Sequence, residues 1–325
     1  MKVRLIDELN IATTQGYTNR FDDDSYVGII FYVKGQKSGS VITSGVVGNI
    51  RVNYAGDDIV NAPYSVLSKY ADLLFGKPKS SQGTSGNPSY YGCFIPFYHP
   101  SLPNAIHKET NESLGFYIDK AQESVDTAVC YVYGVIDDLP ELYVPRLVAY
   151  TETAGTGTLK ILLDQPNITS IMLTAPATTD PDLIQLLIDN DLKYSGSWEI
   201  LEDLTNVLAR IESTTLDVIY LDMVQKGEIN ETLSDEATLL ITGGSGSFYY
   251  LVQSLKFNAT KTIRTAVKTN AIMNNKLQTK SHTEGTKVSV IRNPANKSTS
   301  IVNKVNKELE SKGLGIGVGG GGGNV

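Results

Sequence analysis

The side chains that could carry chemistry in this 325-residue chain are few and scattered. His99 and His107 flank the turn Pro100-Ser101-Leu102-Pro103, and His282 stands alone. No HxxH, HExxH or Cys/His ligand spacing occurs, so the histidines read as exposed loop residues rather than metal ligands. Cys93 and Cys130 lie in apolar runs and read as buried, inert thiols. Two cysteines exclude a disulfide-stapled scaffold and fit synthesis in a reducing cytoplasm. The run Gly243-Gly244-Ser245-Gly246-Ser247 is followed by a strand pattern, not by a helix whose N-terminus could hold a phosphate, and reads as a hairpin loop. Gly155-Thr156-Gly157 lacks the helix and the lysine in the same way, and no P-loop or nucleophile-elbow motif occurs. Acidic runs stand at Asp22-Asp23-Asp24, Asp57-Asp58 and Asp137-Asp138. Adjacent acids on a loop point apart, so solvated surface is the plain reading. A structural calcium ion held by Asp22, Asp23 and Asp24 at a subunit contact is the one metal candidate. Five N-x-[ST] triplets carry no weight, because the acids near the N-terminus leave no room for a signal peptide's apolar stretch. No enzyme activity and no cofactor is expected.

Charge is divided unevenly. Between Lys256 and Val325 there are 12 Lys/Arg against 3 Glu, a balance of +9; residues 1–255 hold 16 basic and 32 acidic residues, a balance of −16. Such an acidic body is a poor nucleic-acid clamp, whereas the tail suits an anionic partner. Within the tail, residues 286–291 alternate like a strand. Residues 300–311 place Ile301, Val302, Val305 and Leu309 on a narrow helical stripe beside Lys304, Lys307 and Lys312, with Lys297 just upstream. These four lysines are the candidate contacts to a membrane surface or inner shell. No apolar run is long enough to span a bilayer.

The elements that would position these residues are mostly strands. Apolar, β-branched and aromatic runs fall at 26–33, 49–54, 90–98, 114–119, 127–136, 142–150, 158–164, 168–175, 216–224, 237–242 and 248–255, separated by Gly, Ser, Asn, Asp and Pro. Two helical patterns interrupt them. The first, 63–75, has Val66, Leu67, Tyr70, Ala71 and Leu74 on one face. The second, 198–211, is capped by Ser197 and carries Ile200, Leu201, Leu204, Leu208 and Ile211. Both stripes are expected to pack on their own barrels. A third, shorter helix is expected at 181–189.

The chain repeats itself. Ile29-Ile30-Phe31 matches Ile171-Met172-Leu173 at an offset of 142; Val52–Gly56 matches Leu192–Gly196 at 140, each ahead of a helix; Phe94–Phe97 matches Val218–Leu221 at 124; 114–119 matches 237–242 at 123; and Cys130-Tyr131-Val132 matches Tyr250-Leu251-Val252 at 120. The expectation is an all-β chain with inserted helices: two tandem eight-stranded jelly rolls, 1–150 and 151–258, joined near the Thr/Gly-rich stretch 151–157. A basic tail, 259–325, ends in a Gly-rich segment.

This order of elements, over residues 26–255 and most clearly at 52–76 and 192–211, resembles the double jelly-roll major capsid proteins of the adenovirus–tectivirus–corticovirus lineage. It is similar in particular to those of tailless phages with an internal membrane, such as the lipid-containing single-stranded DNA phage of Flavobacterium. The resemblance implies a homotrimer whose six jelly rolls form a pseudo-hexagonal capsomer and tile an icosahedral virion shell over a membrane. The implied partners are further copies of the chain, minor capsid and vertex proteins, and the lipid surface, with no sequence-specific nucleic-acid contact. Two other readings of the β-rich pattern are a tandem carbohydrate-binding or adhesin protein, drawing on 18 tyrosines and one tryptophan for sugar stacking, and a jelly-roll glycoside hydrolase.

Overall fold

The computed structural model describes residues 1–76, 80–163, 165, 167–209, 217–224 and 237–256. The first half of the chain forms β1 (Lys2–Asn10), β2 (Gly16–Thr18), β3 (Ser25–Gln36), β4 (Asn49–Tyr54), β5 (Asp57–Pro63), α1 (Tyr64–Phe75), β6 (Ser89–Pro96), the two-residue β7 (Ile106–His107), β8 (Leu114–Ile118) and β9 (Thr127–Ile136). The second forms β10 (Val144–Ala154), β11 (Thr158–Leu163), β12 (Ile168–Thr174), β13 (Leu183–Ile188), β14 (Asp191–Gly196), α2 (Trp198–Ala209), β15 (Val218–Asp222), β16 (Ala237–Thr242) and β17 (Gly246–Lys256).

The sheet orders of the two halves are the same. The first half pairs β1-β9-β3-β6 in one sheet and β2-β8-β4-β5 in the other; the second pairs β10-β17-β12-β15 and β11-β16-β13-β14. With the short β7 set aside, each half therefore arranges its eight strands as 1-8-3-6 and 2-7-4-5, with a helix between the fifth and sixth. This is the jelly-roll order. Each barrel has its own core. Ile29, Phe31, Ile50, Ile95, Phe116 and Val132 fill the first, and Ile171, Leu173, Leu186, Ile219, Leu239 and Val252 fill the second. β3 is a nearly unbroken apolar run because both of its faces are covered: Ile29 and Phe31 point into the barrel, Ile30 and Tyr32 out of it. On the outer face Tyr32 lies across Gly92, and a Cβ there would stand 2.5 Å from the ring.

Several expectations need correction. Residues 181–189 form no helix, since Ile184, Leu186 and Ile188 are buried at a spacing of two and make β13 an ordinary half-buried strand. The leucine-rich run behind Asp180 and Pro181 imitates a capped helix. That error shifted one arm of the repeat. Tyr54 lies on the fourth strand of its half and Tyr194 on the fifth, so they are not counterparts; β4 answers β13, and the unexpected strand β5 answers β14. The other four matches join equivalent strands. β1 was also missed, because its charged residues dilute the alternation. Gly243–Ser247 is no hairpin: it carries the chain from one sheet to the other, with Ser245 bridged to Thr179. Gly243, Gly244 and Gly246 all have positive φ there, at 74°, 80° and 104°. The stretch 151–157 is no free link either, since β10 runs to Ala154.

Candidate assembly surface and the seam between the halves

The two halves are fused edge to edge. β10 pairs in parallel with β5, Leu147 opposite Val60 and Val148 opposite Asn61, so one eight-stranded sheet, β15-β12-β17-β10-β5-β4-β8-β2, runs through both barrels. Above this junction, α1 lies in the seam. Met172, Val218, Tyr220 and Leu251, on the outer face of the second barrel's sheet, join the core cluster that contains Val66, Tyr70 and Leu73 of α1. The Tyr70 and Tyr220 ring centroids are 6.4 Å apart. α1 is therefore buried on more than one side, with Tyr64, Val66, Leu67, Tyr70, Ala71, Leu73 and Phe75 all enclosed.

His99 is buried in this seam, which corrects its reading as an exposed loop residue. Its Nδ1 accepts from the Ser101 backbone N–H at 3.2 Å, placing the neutral ring's proton on Nε2. Nε2 faces the Tyr220 hydroxyl at 3.3 Å and Asp222 Oδ1 at 3.4 Å, both from the second half. His99 and Tyr220 are buried and Asp222 lies at the solvent edge, and the three serve as a polar tie between the barrels. Burial, then the neighbouring Tyr70 and Asp222, push the Tyr220 hydroxyl far above the usual tyrosine range. The loop beside His99 is pinned by Asn104. Its amide donates to Phe97 O and Tyr143 O, each at 3.0 Å, and its oxygen accepts from Leu142 N (2.7 Å) and Tyr143 N (3.2 Å). This clamp fixes the chain as it enters β10. His107 is half-buried, its Nε2 2.7 Å from Leu139 O. At the far end of the seam Lys256 Nζ meets Asp57 Oδ2 at 2.6 Å and holds that carboxyl below its usual range. The first basic residue of the positive segment is thus spent on the acidic body. Sequence reasoning missed this seam because its paired members lie 87 to 199 residues apart and match no motif.

The acidic loop divides its three carboxylates between two cations, with Asp22 and Asp24 on Arg4 and Asp23 on Lys108. Arg4 lies 2.8 Å from Asp22 and 4.0 Å from Asp24, while Asp23 meets Lys108 Nζ at 2.7 Å and Thr110 Oγ1 at 2.6 Å. Hydrogen bonds from Lys108 and Thr110 lower the Asp23 pKa. Among the described residues no group of three or more His, Cys, Asp or Glu is placed to hold a metal ion. Cys93 and Cys130 are buried, and burial pushes both thiols well above their usual range. The tyrosines that invited a sugar-binding reading are mainly structural, since 11 of the 18 are in the core, as is Trp198. Lys297, Lys304, Lys307 and Lys312, with the strand expected at 286–291 and the helix at 300–311, lie outside the described residues.

No family model and no curated sequence matches the chain. Its fold has solved counterparts. The major capsid protein of bacteriophage PM2 superposes with a TM-score of 0.57 at 12% identity, over 78% of this chain and 98% of that one. The chain has the double jelly-roll fold. The STIV major capsid protein is similar to the same degree, with a TM-score of 0.59 at 11% identity, over 79% of this chain and 97% of that one. Both relationships span the two halves, consistent with the shared strand order found within the chain.

α2 departs from expectation in one respect. Ser197 Oγ accepts from Ile200 N at 3.5 Å, as a cap should, and Trp198, Leu201 and Thr205 face the barrel. Ile200, Leu204 and Val207 instead point outward and are exposed. Of the expected inward stripe, Leu201 faces the barrel while Ile200 and Leu204 face outward; Ile211 and the Leu208 side chain lie outside the described residues.

Proposed function

We propose that this chain is a viral major capsid protein, a building block of a virion rather than an enzyme, assembled in the host cytoplasm. The observation that carries the reading is the duplicated jelly roll, fused through one continuous sheet, together with its likeness to two solved capsid proteins. Two like domains per chain, arranged around a threefold axis, give a nearly sixfold unit, and such units tile a closed shell with three chains in place of six. Three copies form the capsomer, and capsomers meet one another and the minor and vertex proteins along their flanks. The basic tail lies beneath the barrels, where Lys297, Lys304, Lys307 and Lys312 face an internal membrane. Each lysine near an anionic surface contributes about 1 kcal/mol.

Sedimentation and truncation test the two levels separately. The full chain is expected to sediment as three copies of 35.3 kDa. Truncation after Phe257 is expected to leave that species intact while shell closure or membrane retention fails. A stable monomer at assembly concentrations overturns the capsomer; membrane-filled particles from the truncated chain overturn the role of the tail.

A further inference from the structure

The second barrel carries an aliphatic face that its own core does not use. In the sheet β11-β16-β13-β14 the buried residues alternate with Leu162, Leu183, Leu187, Leu192 and Leu240, which point outward, and none of these five belongs to a core cluster. Cross-strand pairing sets Leu162 opposite Thr238, Thr238 opposite Leu187, and Leu187 opposite Leu192, a row across all four strands. At the two ends of the row Leu162 and Leu192 are 68 and 54% exposed. The corresponding face of the first barrel bears Tyr17, Arg51, Asn53, Asn61 and Tyr117, so the jelly roll itself does not call for leucine here. A contiguous aliphatic patch of this kind marks a surface that something covers. The row lies at the end of the barrel from which the chain departs. Leu163 is followed within four residues by Asn167, whose backbone O accepts from Leu255 N at 3.0 Å and whose Nδ2 donates to Leu255 O at 3.1 Å. Lys256, the next residue, ends β17.

We propose that the tail of the same chain covers this face, seating the stripe Ile301/Val302/Val305/Leu309 on the leucine row. Charge selects the occupant. Residues 151–255 hold 16 acidic and 4 basic residues, a balance of −12, whereas residues 1–150 balance at −4. Residues 257–325 hold 11 basic and 3 acidic residues, a balance of +8, so the tail is drawn chiefly to the barrel from which it emerges. Asp189 and Asp191 are exposed at the turn between β13 and β14, beside Leu187 and Leu192, and offer carboxylates to Lys312, which borders the stripe. Reach sets no limit: 43 residues separate Lys256 from Ser300, and an extended chain spans about 3.3 Å for each. With the stripe seated, Lys304 and Lys307 stand about 110° or more from its centre and point away from the barrel. They stay available to the anionic surface proposed above. The inference goes beyond the capsid reading and does not need it, because it concerns a single chain.

The test measures hydrogen exchange by mass spectrometry on the lipid-free, full-length protein. Amides of 301–309 should exchange at least about tenfold more slowly than in a synthetic peptide spanning 298–314, independently of protein concentration. Leu162→Lys with Leu192→Lys alters only exposed positions, so the circular dichroism spectrum should match wild type while that protection is lost. Val305→Lys with Leu309→Lys leaves both barrels unaltered and should speed exchange in the edge strands 158–163 and 191–196. This second variant keeps the inference open to refutation if the leucine pair fails to fold. Exchange of 301–309 at the peptide's rate in wild type overturns the inference. So does protection that survives the leucine pair, or edge strands that do not respond to the tail variant. Protection that disappears on dilution makes a second copy the occupant and overturns it equally. A wild-type chain that sediments as a monomer defeats the capsomer reading and leaves this inference standing, which keeps the two failures distinct.

Discussion

Replacing Tyr220 with Ala should weaken the seam. Tyr220 is buried between the halves, with its ring against Tyr70 and its hydroxyl against His99, while its backbone N–H donates to Thr205 Oγ1 at 2.8 Å and is kept by the mutant. Truncating a buried aromatic side chain costs about 3–5 kcal/mol. Within that sum the ring pair accounts for about 0.5–1.5 kcal/mol, and the lost hydrogen bond for about as much again. A double-mutant cycle with Tyr70→Ala should therefore return a coupling of roughly 1 kcal/mol. Urea unfolding at fixed protein concentration reads this out. Trp198, the sole tryptophan and a member of the second core, reports one half by fluorescence, and far-ultraviolet dichroism reports both. In the wild type the two transitions should coincide; in the Tyr220 variant the midpoint should fall and the transitions separate. A loss within about 0.5 kcal/mol, the range of an ordinary surface substitution, with coincident transitions, would refute a seam centred on this residue.

Other consequences follow from neighbouring groups. The Tyr70 hydroxyl is buried with no hydrogen-bond partner among the described residues, so Tyr70→Phe should be neutral or raise stability by about 1 kcal/mol in the same urea assay. Cys93 and Cys130 should resist a thiol reagent at pH 8 in the native protein and react together on unfolding; rapid native labelling would contradict their burial. Asp23 and Asp57 have folded pKa values lowered below 3.8, so the stability they lend is complete above that value and lost as pH falls through the lowered ones. Lys256→Gln should remove the Asp57 share of this acid-side slope, and an unchanged slope would show that the ion pair across the halves contributes nothing.

Much of the fold was legible because local pattern and tertiary role agree. Runs such as 26–33 and 127–136 are β-branched, aromatic and buried, and each appears as a strand close to its expected bounds. Where the reading failed, the competing signal is identifiable. β13 carries enough leucine to satisfy a helical pattern, and β1 and β5 carry enough charge to hide a strand. The helices were found, but which face turns inward is decided by the barrel. α1 has apolar residues nearly all round because it lies in the seam, and α2 has them on an outward face too. The seam itself was out of reach: His99 sits between two prolines like any loop residue, and only the folded chain brings it to Tyr220 and Asp222, 121 and 123 positions away. The tail's charge was plain in the sequence.

Electron-microscopic class averages of the purified full-length protein address the central claim most directly. The account predicts particles of three chains with six similar lobes in a pseudo-hexagonal ring, each lobe one jelly roll. Isolated two-lobed particles at every concentration, or twofold dimers joined through a self-complementary face, would contradict it.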